Sequence, residues 1–120
     1  GAPYMQYVHA RCCGILAKQK SDIQGVDSTL LNSKEELDLL HEISRLPFVV
    51  SSSAEALEPH RIITYAQKLA EKFNIFYREC PVLKGTDSEL MAARLSLVTA
   101  TKNAMSNSLY LVGIESPDSM

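Results

Sequence analysis

The sequence predicts an all-α domain, a helical bundle of four to five helices formed by residues 1–120. Apolar residues recur at steps of three and four over long stretches, as they do on the buried face of a helix. Prolines and glycines fall at the ends of these stretches, and no stretch has the alternating pattern of a β-strand. With 120 residues, 46% of them hydrophobic, the chain is long enough to bury one core.

The first predicted helix begins near Pro3, a residue suited to the first helical turn, and ends near Lys20. A polar segment over 21–32, which contains Gly25, is predicted to be a surface loop. Ser33 and Glu36 have the spacing of a capping box and begin the second helix. Positions predicted to face the core in the first helix and the second are Met5, Val8, Cys12, Ile15, Leu16, Leu37, Leu40 and Ile43.

Prolines and a second capping pair divide the rest of the chain. Pro47 ends or restarts the second helix, and a short helix with Val49 and Val50 buried follows. Pro59 begins a long amphipathic helix that ends before Pro81. Thr86 with Glu89 resembles a second capping box, which begins the last helix, and Gly113 stands where a C-terminal cap belongs. Core positions predicted in the long helix are Ile62, Tyr65, Ala66, Leu69, Phe73, Phe76 and Tyr77.

The charge and cysteine content limit the classes of function. The formal net charge is −2, so any binding of nucleic acid has to use a local patch, shape and stacking. No apolar run is long enough for a membrane span. The three cysteines at 12, 13 and 80 fit reduced thiols of a cytoplasmic protein better than a disulfide framework.

Motifs for catalysis are absent from the sequence. There is no glycine-rich phosphate loop, and Cys13 has no neighbour in sequence that marks it as an activated nucleophile. His9, His41 and His60 are scattered, and we expect each at the surface or its boundary rather than at a metal ion. We therefore expect no catalytic residue, metal or cofactor in this chain.

Two groups of residues are candidates for binding. On a helical wheel, Tyr4, Tyr7, Arg11 and Lys18 share one strip of the first helix, beside the apolar face. The second group, Tyr77, Arg78 and Lys84, lies at the end of the long helix. Aromatic rings and cations suit unpaired nucleotides. By spacing alone, a structural explanation is favoured for both groups: tyrosines packed at the edge of the bundle, and cations beside a helix C-terminus.

Four segments in order resemble the anticodon-binding "DALR" domain of arginyl-tRNA synthetases. They are "PYMQYVHAR" at 3–11, "LEPHRIITYAQKLAEKFNIFYRECPVL" at 57–83, "ELMAARLSLVTATKNAM" at 89–105 and "LVGIESPDSM" at 111–120. The opening segment resembles arginyl rather than cysteinyl enzymes. The resemblance implies that the chain is the C-terminal part of a larger, cytoplasmic and monomeric enzyme, with Met120 as its natural end.

The resemblance also implies that catalysis and tRNA binding belong to different domains of the parent enzyme. The parent enzyme attaches arginine to tRNA using ATP, and both small substrates bind in a separate catalytic domain whose H-I-G-H and K-M-S-K-S motifs are absent here. By position, the resemblance places Tyr7, Tyr77 and Met120 at the anticodon, with Arg11 on a phosphate or bracing Tyr7. Lys18 and Arg78 are further candidates for tRNA contact. Arg94 is expected to have a structural role, tying the last helix to a neighbour.

The genetic code adds a constraint on this partner. Every arginine codon has G in the middle, so every arginine tRNA carries C in the middle of its anticodon. Ser108 and Tyr110 depart from the family pattern, in which a glycine and a basic or polar residue are common. The alternative from another functional class is a helical adaptor that binds a partner protein through the same aromatic strip.

Overall fold

The computed structural model describes residues 1–19 and 25–120, and in these ranges the secondary structure is entirely helical. A 3₁₀ turn at Ser28–Leu30 lies within the loop predicted over 21–32. Residues 21–24 of that loop, and Lys20 at the predicted end of the first helix, lie outside the described residues. The helices are α1 (Ala2–Lys18), α2 (Lys34–Ser44), α3 (Leu46–Ala56), α4 (His60–Glu79) and α5 (Ser88–Leu111). The predicted all-α bundle is confirmed.

Helix α4 is the central element of the bundle. Its apolar stripe is broad enough for α4 to contact each of the other four helices, while α1 packs against both α4 and α5. Phe73 and Phe76 of α4 are completely buried. The other large side chains at the centre of the core are Met5, Leu39, Leu69, Leu95, Leu97, Met105 and Leu109. This arrangement places the middle of α1 beside the C-terminal end of α4.

The inward face of α2 differs from the prediction. Leu37 and Leu40 are 48% and 40% exposed, whereas Leu39, Glu36 and Glu42 are buried. The prediction for Leu37 and Leu40 is wrong because two buried glutamates occupy positions that a hydrophobic pattern assigns to solvent. Ile43 is partly buried and packs against the core, as predicted.

The buried carboxylates of α2 are paired with cations from α4, α5 and the residue that joins α2 to α3. Glu36 Oε2 accepts a hydrogen bond of 2.9 Å from Arg94 Nε of α5. Glu42 Oε2 lies 2.8 Å from Arg45 Nη1, and its other oxygen lies 3.7 Å from Lys68 Nζ. Arg94 also donates to the Pro81 carbonyl at 2.7 Å. The structural role predicted for Arg94 is therefore confirmed.

Three of the predicted helix ends can be compared with the structure. Ser33 and Glu36 form the capping box that the sequence predicts. The second capping box is wrong: Asp87 is the N-cap of α5 and accepts from the amides of Glu89 and Leu90 at 2.9 and 3.1 Å. Thr86 donates instead to the Pro81 carbonyl at 3.0 Å.

At the end of α5, Gly113 has a φ of 77° and follows the C-cap Val112. Its amide donates to Tyr110 and the next amide, of Ile114, donates to Leu109, which completes a Schellman motif. The left-handed residue turns the chain back toward α1. The predicted cap is confirmed, and it sets the path of the C-terminal tail, residues 114–120.

Candidate functional site

A shallow groove of about 330 Å³ runs between α1, the end of α4 and the C-terminal tail. We call it the α1–tail groove. It is lined by Tyr7, Ala10, Arg11, Gly14, Ile15, Lys18, Tyr77, Asp118, Ser119 and Met120. The structure therefore brings together five of the eight candidate binding residues named from the sequence, from three separate parts of the chain.

The Tyr77 ring is held in place by two neighbours. Its plane lies within 10° of that of Phe73, one turn earlier in α4, with ring centroids 5.9 Å apart. The guanidinium carbon of Arg11 lies 5.3 Å from the Tyr77 centroid, within the range of a cation–π contact. Tyr77 is still 38% exposed. It therefore forms a wall of the groove that packs against Phe73 and Arg11 and keeps part of its surface open.

Tyr7 and Met120 face the groove with more of their surface free. Tyr7 is 55% exposed and Met120 is 57% exposed. Gly14 lies between Arg11 and Lys18 on the same side of α1, and a Cβ atom built at Gly14 would meet nothing within 4 Å. The missing side chain thus leaves room above the helix. The groove has an open aromatic face, an open apolar side chain and two cations.

The tail is fastened to α1 by polar contacts. Gln6 Nε2 donates to the Glu115 carbonyl at 3.0 Å, and His9 Nδ1 lies 2.9 Å from the Pro117 carbonyl oxygen. His9 is only 4% exposed, so the prediction that it lies at the surface or its boundary is wrong. Burial is favourable here because the tail covers the imidazole and accepts its proton in a hydrogen bond. These contacts position Met120 at the groove.

Three candidate residues do not line the groove: Tyr4, Arg78 and Lys84. Arg78, 71% exposed at its side chain, pairs with Glu79 at 2.9 Å and does not line it. Tyr4, on the same strip of α1 as Tyr7, accepts a hydrogen bond of 2.9 Å from Asn74 of α4. That contact matches the alternative reading, in which a tyrosine packs at the edge of the bundle.

Comparison with known proteins identifies the family. Residues 5–120 match the family model described as the DALR anticodon binding domain. The chain belongs to this family. It is 52% identical over 120 residues to the arginine–tRNA ligase of Haloarcula marismortui, covering 99% of this chain and 21% of that protein. It is 41% identical to that of Dehalococcoides mccartyi, again covering 21% of the relative.

A solved structure supports the same assignment. The structure of Thermus thermophilus arginyl-tRNA synthetase superimposes on 98% of this chain and 21% of that one, with a TM-score of 0.90 and 30% identity. The chain thus spans about a fifth of the length of the relatives it matches. Its fold and family are those of a DALR domain.

This DALR domain has a second, larger groove that the sequence did not predict. It holds about 480 Å³ between α3 and α4, and its cations include Arg45, Arg61 and Lys68. These three already pair with acidic groups, Arg61 with Glu58 and the other two with Glu42. Much of the charge in this groove is therefore neutralised within the chain, which makes it the weaker candidate for an anionic ligand.

Proposed function

We propose that this DALR domain binds the anticodon loop of arginine tRNA in the α1–tail groove, as the tRNA-reading part of an arginine–tRNA ligase. The observation that carries the proposal is the convergence of Tyr7, Arg11 and Tyr77 with the tail residue Met120 at one groove. Aromatic faces with nearby cations are the chemistry that binds splayed-out bases of single-stranded RNA. Membership of the DALR family supports the choice of RNA as the ligand.

Each residue of the groove has a separate part in the proposed binding. Tyr7 is the stacking platform, since more of its ring is exposed than that of Tyr77. Tyr77, held by Phe73 and Arg11, is the wall against which a base edge rests. Lys18 and the free edge of the Arg11 guanidinium face phosphate oxygens, and Met120 gives an apolar contact.

Recognition of the middle cytosine requires hydrogen-bond acceptors, because its exocyclic amine is a donor. Ser119 of the tail lines the groove and carries two acceptors, its hydroxyl and its backbone carbonyl oxygen. In this proposal the tail reads the base and α1 supplies the stacking face. Both must therefore be in place for selectivity.

The remaining parts of the proposal concern the whole enzyme. Named relatives of about five times this length are arginine–tRNA ligases, which supports a parent that joins arginine to tRNA using ATP. ATP and arginine would bind to the catalytic domain, outside these residues. We place the enzyme in the cytoplasm as a monomer, with the catalytic domain supplying much of the affinity for tRNA.

The test compares two labelled RNAs for binding to this chain. One is the anticodon stem-loop of an arginine tRNA, and the other differs only by U in place of the middle C. We expect about 5- to 150-fold weaker binding of the changed loop, since a lost base-specific hydrogen bond costs on the order of 1–3 kcal/mol. Fluorescence anisotropy measures both affinities. Equal affinity for the two loops, or no binding to either, refutes the proposal and would return attention to the adaptor alternative.

A further inference from the structure

The C-terminal tail is held against one face of α1 through its own backbone. Gln6 Nε2 donates to the Glu115 carbonyl at 3.0 Å. The Pro117 carbonyl oxygen lies 2.9 Å from His9 Nδ1 and can only accept, so Nδ1 carries the proton and donates. Gln6 and His9 are three residues apart and share a face of the helix. Because the acceptors are backbone atoms, the attachment depends on the side chains of α1 rather than on those of the tail.

The contacts at this crossing differ in how much water reaches them. The His9 ring is 4% exposed, whereas the Gln6 hydrogen bond is exposed. Water competes for an exposed hydrogen bond, while removal of a buried donor leaves its partner unsatisfied. A third contact, from Cys13 Sγ to Asp118 Oδ1 at 3.8 Å, uses a thiol, which is a weak donor. Of the three contacts, the one from His9 therefore contributes most to fixing the tail.

Pro117 makes this attachment effective. Its ring holds its own φ near about −65° and restricts Ser116 before it to extended backbone. Few conformations remain to this part of the tail, so fixing the Pro117 carbonyl also directs the residues that follow. Ser119 and Met120 come next but one and line the α1–tail groove, whereas His9 does not line it. His9 thus acts on the groove through the tail.

We propose that His9 is a positioning residue for base discrimination: by holding the Pro117 carbonyl, it places the end of the tail at the base that the groove reads. The inference rests on the proposed function, in which the tail reads the middle base and α1 supplies the stacking face. The tyrosine rings of the groove belong to α1 and α4, so release of the tail leaves stacking in place and removes the reading. Loss of the His9 hydrogen bond therefore lowers selectivity more than it lowers affinity.

The test uses two variants at one position, His9→Leu and His9→Asn. Leucine and asparagine side chains have nearly the same size and branch at the same atom, so both leave the same space where the ring was. Only asparagine has an N–H donor, and its nitrogen is the same number of bonds from Cα as Nδ1 of histidine. A difference between the two variants therefore reports the hydrogen bond to Pro117.

The first measurement follows the tail without RNA, by NMR of ¹³C-labelled methionine methyl groups. The methyl group of Met120 lies in the groove with the rings of Tyr7 and Tyr77, whose ring currents shift its resonance. We expect His9→Leu to move this resonance to the position of an unstructured methionine, and His9→Asn to keep it near its original position. Met105, which is completely buried, should not move in either variant and verifies the fold.

The second measurement is the ratio of affinities for the two anticodon stem-loops, with C or U in the middle. The unchanged chain should prefer C by about 5- to 150-fold. His9→Leu should lower this ratio to about twofold or less, and His9→Asn should restore most of it. His60→Leu is the matched control, because His60 has an exposed side chain on α4 and does not line the groove; it should leave the ratio within about twofold of the original.

A further variant avoids the core altogether. Pro117→Gly keeps the carbonyl that His9 binds but loosens the tail, and it should also lower the ratio. It serves if thermal melts show that His9→Leu is not folded.

The outcomes separate this inference from the proposed function. Equal affinities of the unchanged chain for the two loops refute both. If the unchanged chain discriminates, a ratio retained in His9→Leu and in Pro117→Gly overturns the role of His9 alone. So does a Met120 resonance that stays in place in a folded His9→Leu variant, or a loss of discrimination that is equal in His9→Leu and His9→Asn.

Discussion

Tyr7 and Tyr77 differ in how tightly their rings are packed against neighbouring side chains. Tyr77 stacks on Phe73 and lies under Arg11, and its replacement would disturb the end of α4 as well as the groove. Tyr7 has the larger exposed fraction and belongs to a helix whose other face is anchored by Met5, Val8 and Cys12. The effect of changing Tyr7 on a ligand can therefore be separated from its effect on folding.

Tyr7→Ala is expected to weaken binding of the arginine anticodon stem-loop by about 5- to 150-fold, since stacking of a base on an aromatic side chain contributes about 1–3 kcal/mol. The free energy of unfolding should change little, because the ring is half exposed. Anisotropy titrations and thermal melts measure the two quantities.

Tyr110→Ala is the matched control for Tyr7→Ala. Tyr110 is 81% exposed at the end of α5 and does not line the α1–tail groove. Its replacement should leave affinity within about twofold, the range of a surface change away from the ligand. Equal losses for Tyr7→Ala and Tyr110→Ala would show that the groove is not the binding surface.

Cys13 illustrates how the surroundings set the chemistry of a side chain. Burial and the neighbouring Asp118 carboxylate raise the pKa of the Cys13 thiol. A thiol with a raised pKa is a poor nucleophile at neutral pH, which agrees with the prediction that Cys13 is not activated.

At the scale of elements, α2 is stabilised by a carboxylate that serves two purposes. Glu36 Oε1 accepts from the Ser33 amide at 3.0 Å, which closes the capping box, and Oε2 accepts from Arg94 of α5. The same side chain therefore begins α2 and joins it to α5. Burial opposes its charge, but the hydrogen bonds from Arg94 and Ser33 outweigh burial and hold the pKa of Glu36 below its ordinary value.

This lowered pKa predicts how stability depends on pH. A carboxyl group with a lower pKa in the folded state stabilises the fold fully above its unfolded value, 4.5 for Glu36, and the stabilisation is lost as pH falls through the folded value. We expect Glu36→Gln to lower the free energy of unfolding at pH 7 by about 3 kcal/mol, since Arg94 loses its charged partner. Urea denaturation at pH 7 and at pH 3 measures the change.

The difference between the unchanged chain and Glu36→Gln should shrink as the pH falls below 4.5, because protonation removes the charge that the variant lacks. Asp38→Asn is the control on the same helix: Asp38 pairs with the exposed Lys34, and solvent screening leaves such a surface pair little effect on stability. A Glu36→Gln penalty that stays constant from pH 7 to pH 3 would contradict the role of the ion pair.

At the scale of the whole molecule, the charge balance limits how the domain can hold RNA. The chain has 12 lysines and arginines against 14 aspartates and glutamates, so long-range attraction to phosphates is absent. The cations at the α1–tail groove, Arg11 and Lys18, are the ones placed to contact phosphate there. Affinity in the isolated domain therefore depends on stacking and shape more than on charge.

This balance predicts a weak dependence of RNA binding on salt. Each phosphate contact to a single strand contributes a slope of about −0.7 in log K against log salt, so two contacts give about −1.4. Lys18→Ala should reduce the slope by about 0.7, whereas Lys34→Ala, on α2 and paired with Asp38, should not alter it. Anisotropy titrations over a range of salt concentrations give the slopes. A slope several times steeper would mean that a broader basic surface binds the RNA.

The order of the helices could be predicted from the sequence. Their buried positions could be predicted wherever apolar residues, and not charged ones, occupy the inward face. The apolar stripe of α4, the capping box at Ser33 and the cap at Gly113 were all predictable, because each depends on neighbours within a few residues. The burial of Glu36 was not predictable, because its cation stands 58 residues away in α5. The hydrophobic pattern within a helix carries no information about a charged partner on another helix, because only the packing of the two helices brings the charges together.

The candidate site divides in the same way. The sequence by itself determined which residues could bind, Tyr7, Arg11 and Tyr77 among them, because residue type and resemblance are properties of the chain. Only the tertiary structure decided that the tail crosses α1, that His9 is buried beneath it, and that Arg78 pairs with Glu79 and does not line the groove. The physical reason is that α1 and the tail meet across more than 100 residues, through hydrogen bonds to backbone carbonyls that carry no signature in the sequence.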